Sequence, residues 1–129
     1  MLNRLSIVTI LALAACGGDD GNTTADAPAA IDAPATAKVS EITCPATPDA
    51  TVTTVDGTFS YMPGAVTITV GQVVKFTTSA THDVAPNTTG SDPALRVGFG
   101  ATKCFKFTAA GTYGFHCTPH AFTGTITVN

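Results

Sequence analysis

From Thr51 to the C-terminus the chain repeats one pattern. Short runs alternate branched or aromatic residues with threonine, lysine or glycine, and turn-forming residues separate them. The runs are VTITV (66–70), QVVKFTT (72–78), HDVA (82–85), LRVGF (95–99), KCFKFT (103–108), TYGFHC (112–117) and TGTITV (123–128). A period of two places successive side chains on opposite faces of a strand. No stretch of useful length carries the helical period of 3.6. Seven or eight strands at this spacing predict an all-β fold of two packed sheets, a Greek-key β-sandwich.

The N-terminal third does not follow this pattern. Residues 1–15, MLNRLSIVTILALAA, place one positive charge (Arg4) before an apolar run that ends in small residues. That is the pattern of an export signal, and the run is too short to span a membrane. The sequence LAAC resembles a bacterial lipoprotein signal, which makes Cys16 the lipidated residue. An uncleaved buried helix or an ordinary signal peptide is the plainer alternative. Gly17 follows Cys16 where an aspartate would retain such a protein at the inner membrane, so the resemblance implies the outer membrane. Residues 16–40 are rich in Gly, Asp, Ala, Pro and Thr. They bury too little apolar surface to offset their ordering entropy and are expected to form a flexible tether. The expected domain is 41–129.

From Lys38 onward the acids are Glu41, Asp49, Asp56, Asp83 and Asp92, and the bases are Lys38, Lys75, Arg96, Lys103 and Lys106. Five against five leaves a neutral domain, which argues against a nucleic-acid surface and against strong electrostatic steering.

Strand parity sorts the cysteines. In TYGFHC, Tyr113, Phe115 and Cys117 share the aromatic, core-facing side, and His116 faces outward as a surface residue. In KCFKFT, Phe105 and Phe107 face inward, so Cys104 faces outward with Lys106. Cys16 is assigned to the lipid and Cys117 lies three residues before His120. Cys44 and Cys104 remain, and in an exported chain they are expected to form a disulfide rather than two free thiols.

His82, Cys117 and His120 are the side chains able to share one metal. Thirty-five residues separate His82 from Cys117, a distance that a sandwich closes by bringing strand ends to one rim. One soft thiolate with two imidazoles suits copper, and a trigonal set of this kind with a weak axial ligand is the blue-copper arrangement. Other chemistries fit less well. A Cys–His nucleophile needs an orienting third group, and nothing marks one. A binuclear copper site needs a second cysteine near Cys117. Structural zinc sites have four closed ligands. No catalytic residue is expected, and the chain is read as a non-enzyme.

Two stretches, FSYMPGAVTITVGQVVKFTTSATHDV and FTAAGTYGFHCTPHAFTGTITV, resemble the cupredoxins, and among them the amicyanins and plastocyanins. The likeness covers residues 59–129. It implies a one-copper electron carrier with His82, Cys117 and His120 as equatorial ligands. The pattern departs at Thr123, where the amicyanin-like sequences have the axial methionine. Thr123 is therefore the expected weak axial position, with the Thr81 carbonyl or water as substitutes. Asp83 is a second departure, because the family usually has asparagine there. Pro119, Ala121 and Phe122, with Met62 and Pro63, are expected to form an apolar docking patch around an exposed His120. The expected partners are a redox donor and a redox acceptor, with the membrane reached through the anchor, no nucleic acid, and a monomeric chain. A copper-binding or copper-free envelope module without a redox task is the second reading.

Overall fold

The computed structural model describes residues 37–129. The expected signal segment 1–15, the expected anchor Cys16 and the expected linker as far as residue 36 lie outside the described residues. Within them the chain forms β1 (Val39–Ile42), β2 (Ala50–Val55), a 3-10 turn (Asp56–Thr58), β3 (Ser60–Met62), β4 (Ala65–Ile68), β5 (Val73–Thr77), β6 (Ala85–Pro86), β7 (Thr102–Phe107), β8 (Gly111–His116) and β9 (Thr123–Val128). One sheet runs β1-β7-β5-β2-β3 and the other β4-β9-β8-β6. The pairs β2–β5 and β4–β9 are parallel and the others antiparallel. The result is the two-sheet sandwich that the alternation predicts.

Three details differ from the sequence-based expectation. Val39 and Ser40, assigned to the linker, begin β1, and Val39 is fully buried. The cause is remote. The buried Asp92 carboxylate accepts hydrogen bonds from the backbone of Lys38 (2.8 Å) and Val39 (3.1 Å), which staples this segment down. Second, residues 95–99 form no strand. Tight backbone bonds from Leu95 to Asp92 and from Arg96 to Ala94 bend the run, leaving a single bridge between Val97 and Val84. Third, nine strands form among the described residues rather than seven or eight, because β2 and β3 fall in stretches with weak alternation.

Parity holds where it matters. Phe76, Phe105, Phe107, Phe115 and Ile126 all sit in the core, and each such side chain stabilises the fold by about 1.5–3 kcal/mol. Aromatic rings link the core to the rim. Phe105 meets Phe76 (6.0 Å between centroids), Phe76 meets Phe115 (5.4 Å), and Phe115 meets Tyr61 (4.8 Å). Gly124, opposite Phe115 in register, is a close approach that only glycine allows. A Cβ there would collide with the Phe115 ring and lie 3.1 Å from Tyr61.

Cys104 faces outward from β7 yet is fully buried, because Cys44 bonds to it and covers it. The bridge spans 60 residues. In the chain-entropy picture a closure of that length is worth about 4 kcal/mol.

Two stability outcomes follow, both read by denaturant unfolding. The paired Cys44→Ala and Cys104→Ala variant is expected to lose about 2–4 kcal/mol. Gly124→Ala is expected to lose about 1–3 kcal/mol through overpacking, and an unchanged midpoint would contradict the close approach of Phe115.

Candidate metal centre

Three segments meet at one rim of the sandwich: the 3-10 turn with Phe59, the loop after β5 that carries His82, and the loop after β8 that carries Cys117 and His120. Each is held from below. Thr78 Oγ1 donates to the carbonyl of Gly98 (2.6 Å), and the backbone N–H of Ser79 donates to Thr54 Oγ1 (2.8 Å). The Gly100 N–H donates to the Ser79 carbonyl (2.7 Å). The second loop closes on itself: the Cys117 N–H donates to the Phe122 carbonyl (2.9 Å) and the Ala121 N–H to the Cys117 carbonyl (2.8 Å). Ala121 takes a left-handed conformation (φ 58°) to make that turn.

Asp83 joins the two loops. Its carboxylate accepts from the Thr118 N–H (2.7 Å) and from the Thr118 hydroxyl. Tyr61 completes the junction by donating its hydroxyl to the Asp83 carbonyl (2.6 Å). Partial burial pushes the Asp83 carboxyl up, but the hydrogen bonds from Thr118 outweigh it and hold the group below the ordinary carboxylate range. Burial pushes the Tyr61 hydroxyl far up, so it stays a donor.

The junction places three donors around one point. His82 Nδ1 lies 3.0 Å from His120 Nδ1 and 3.5 Å from Cys117 Sγ, and Cys117 Sγ lies 3.8 Å from His120 Nδ1. All three donor atoms fall within 4.8 Å of one another. His82 and Cys117 are fully buried, whereas His120 is exposed. Burial pushes the Cys117 thiol up, so the metal-free site holds a thiol whose proton must leave when a metal binds. A buried thiol facing two imidazole nitrogens is a donor set that fits copper.

The expected axial position is corrected. Thr123 opens β9 opposite His116, is exposed, and shares parity with Thr125 and Thr127, while Gly124, Ile126 and Val128 are buried. Its side chain therefore belongs to the outer face and does not meet the three donors. The loop is short enough that β9 pairing has already begun at Thr123, which fixes that orientation. Met62 offers no substitute sulfur, being 60% exposed on the edge strand β3. Phe122 turns inward instead and packs on Tyr61 (4.6 Å) and His82 (5.0 Å). It is half-buried, so its part in the expected docking patch is only an edge, while Pro119, Ala121, Met62 and Pro63 are exposed. His116 lies on the outer face with Nδ1 3.0 Å from Asn87 Oδ1.

Two residues escaped the sequence reading. Phe59 packs against His120 (4.7 Å) and edge-on to His82 (5.6 Å) while remaining 53% exposed. Parity with Tyr61 would have turned it inward, but a left-handed backbone (φ 47°, ψ 61°) carries it over the rim. Asp56 brings Oδ1 to 3.3 Å from His82 Nε2. No short sequence motif marks this contact, because 26 positions separate the two residues (82 − 56).

Fold and site together define a small copper protein. The family of copper binding proteins described as plastocyanin/azurin matches residues 48–129, and the chain belongs to that family. Its cofactor is one copper ion, and His82, Cys117 and His120 are the residues placed to hold it. The chloroplastic plastocyanin of Chlamydomonas reinhardtii is 31% identical over 82 residues, covering 54% of this chain and 57% of that protein. The chain thus spans less than two thirds of that relative. Among solved structures, amicyanin from Paracoccus versutus superposes with a TM-score of 0.56 at 21% identity, over 71% of this chain and 98% of that one. A reduced Cu(I) form of an amicyanin variant at pH 4 gives 0.57 at 21% identity, over 71% and 99%.

Copper loading and visible absorption test the assignment. Cys117→Ser should abolish the thiolate-to-copper band, whereas Thr123→Met should leave both band and potential unchanged. A potential that falls in Thr123→Met would return that residue to the site.

Proposed function

We propose that this chain carries single electrons between redox proteins outside the cytoplasm, tethered to the bacterial envelope by a lipid on Cys16. The observation that carries the reading is the donor trio itself, assembled by the protein's own hydrogen bonds, with one imidazole exposed at an apolar rim. Copper bound there supplies a one-electron couple between Cu(I) and Cu(II).

The chain contributes rigidity, exclusion of water and a route in. Asp83, Thr118 and Tyr61 hold the two ligand loops at fixed separation, so the donors need little movement between redox states. Phe122 covers one side of His82, and Tyr61 packs behind Phe122, which keeps water from the ring. His120 offers the short path to the surface, framed by Phe59, Pro119 and Ala121. Exposed apolar patches mark docking sites, and redox encounters use small, weak interfaces. The partners this rim suits are a donor and an acceptor with an uncharged, apolar contact face, met by a monomeric carrier.

The placement outside the cytoplasm is supported by the LAAC signal and by the Cys44–Cys104 bridge, since such bridges persist in oxidising compartments. The outer membrane is supported by Gly17 after the anchor cysteine.

The test is copper loading of the purified chain, one visible spectrum and a redox titration. A strong thiolate band with a reversible one-electron couple is expected; bound copper without either would leave a copper-binding module with no redox task. Phe59→Asn is expected to slow exchange with a redox partner by about tenfold, equivalent to about 1.4 kcal/mol, with the thiolate band retained. Asparagine tolerates the left-handed backbone at this position and adds no charge beside His120, so neither a fold defect nor a new carboxylate should confuse the result.

A further inference from the structure

His82 leaves one polar atom without an explanation. Its Nδ1 faces Cys117 and His120, but its Nε2 is buried and makes no well-aligned hydrogen bond. A buried N–H without an acceptor costs about 1–3 kcal/mol. One acceptor lies within reach: Asp56 Oδ1, at 3.3 Å. Although the Asp56 side chain is 64% exposed, it does not wander. Oδ1 accepts from Ser79 Oγ (2.5 Å) and from Thr81 Oγ1 (3.3 Å), both on the loop that carries His82. The carboxylate is thus a fixed negative charge over the outer edge of a buried ligand ring.

We propose that Asp56 is a positioning residue of the copper centre, its carboxylate accepting the Nε2–H of His82. That bond fixes the tautomer in which His82 Nδ1 presents its lone pair to the metal, the arrangement that outer carboxylates impose on metal-binding histidines elsewhere. In the metal-free protein the proton in the 3.0 Å contact between the two Nδ1 atoms then belongs to His120. The negative charge also favours Cu(II) over Cu(I). This inference rests on the copper reading of the site. Outer partners of metal-bound histidine are worth 10–100-fold in metal affinity, and solvent exposure of Asp56 places the effect here near the lower end, about tenfold; because the negative charge acts chiefly on the more highly charged Cu(II), that factor falls on the Cu(II)/Cu(I) ratio.

Two measurements on the full chain test it. Nitrogen NMR of histidine-labelled, copper-free protein is expected to show His82 protonated at Nε2 and bare at Nδ1. Asp56→Asn keeps an acceptor oxygen for Ser79 and Thr81, so the loop ties survive and only the charge is lost. Its potential is expected to rise by about 59 mV, the one-electron equivalent of a tenfold change. A staple that merely holds the loop would leave the potential of Asp56→Asn unchanged, and that result overturns the proposal. So does a His82 protonated at Nδ1 in the native apoprotein. The nitrogen spectra are read without copper, so they decide the role of Asp56 even where the copper reading fails.

Discussion

The Asp83–Thr118 contact is the constraint on which the site depends. A buried thiol and a buried imidazole come from loops 35 residues apart, and neither loop has regular structure to place it. One carboxylate with two hydrogen bonds to a single threonine spans that gap. Charge-assisted bonds of this kind are about twice as strong as neutral ones. The acid at position 83 is thus a structural gain, since it meets both the N–H and the hydroxyl of Thr118 with a charged group. Tyr61 extends the clamp to a third segment by binding the backbone of the same residue.

The aromatic column gives this clamp its rigidity. Phe105, Phe76, Phe115, Tyr61 and Phe122 form a continuous path of edge-on contacts from the core to His82. Packed interiors have low compressibility, so the core limits the movement of the His82 ring while the hydrogen bonds of its loop hold its backbone. Gly124 belongs to the same device, because the close approach of Phe115 and Tyr61 to β9 is what lets the column reach the rim.

What was legible in the sequence divides along physical lines. Parity placed Phe105, Phe107, Phe115 and Cys117 inward and Cys104 outward, because a period of two leaves little freedom once one face is aromatic. The donor trio was legible as well, since its residue types are rare and its spacing matches a known pattern. Residues governed by long-range contacts were not legible. Val39 is ordered by Asp92, some 53 positions away, and no local signal reports that. Phe59 defeats parity because its backbone is left-handed, at a cost of about 1–2 kcal/mol for a residue with a Cβ. Thr123 was misplaced because counting from His120 ignores where β9 pairing begins.

The orientation of Thr123 changes the electrostatic argument at the centre. Three residues supply the donors, and neither Thr123 nor Met62 adds a soft fourth from the described residues. A site deprived of an axial thioether loses electron density that would favour the oxidised ion. Water entering in its place would restore that preference, but Phe122 and Phe59 flank the imidazoles and the inner side of His82 is covered. The remaining nearby negative charges are carboxylates one shell out: Asp83, bound to Thr118, and Asp56, held by Ser79. Both carboxylates accept two hydrogen bonds, Asp83 from Thr118 and Asp56 from Ser79 and Thr81, and Asp56 lies 3.3 Å from the ring nitrogen of His82. A copper ion held here would be drawn toward Cu(I) by the lack of a soft fourth donor among the described residues and toward Cu(II) by the Asp56 carboxylate, and the balance of the two would set its potential.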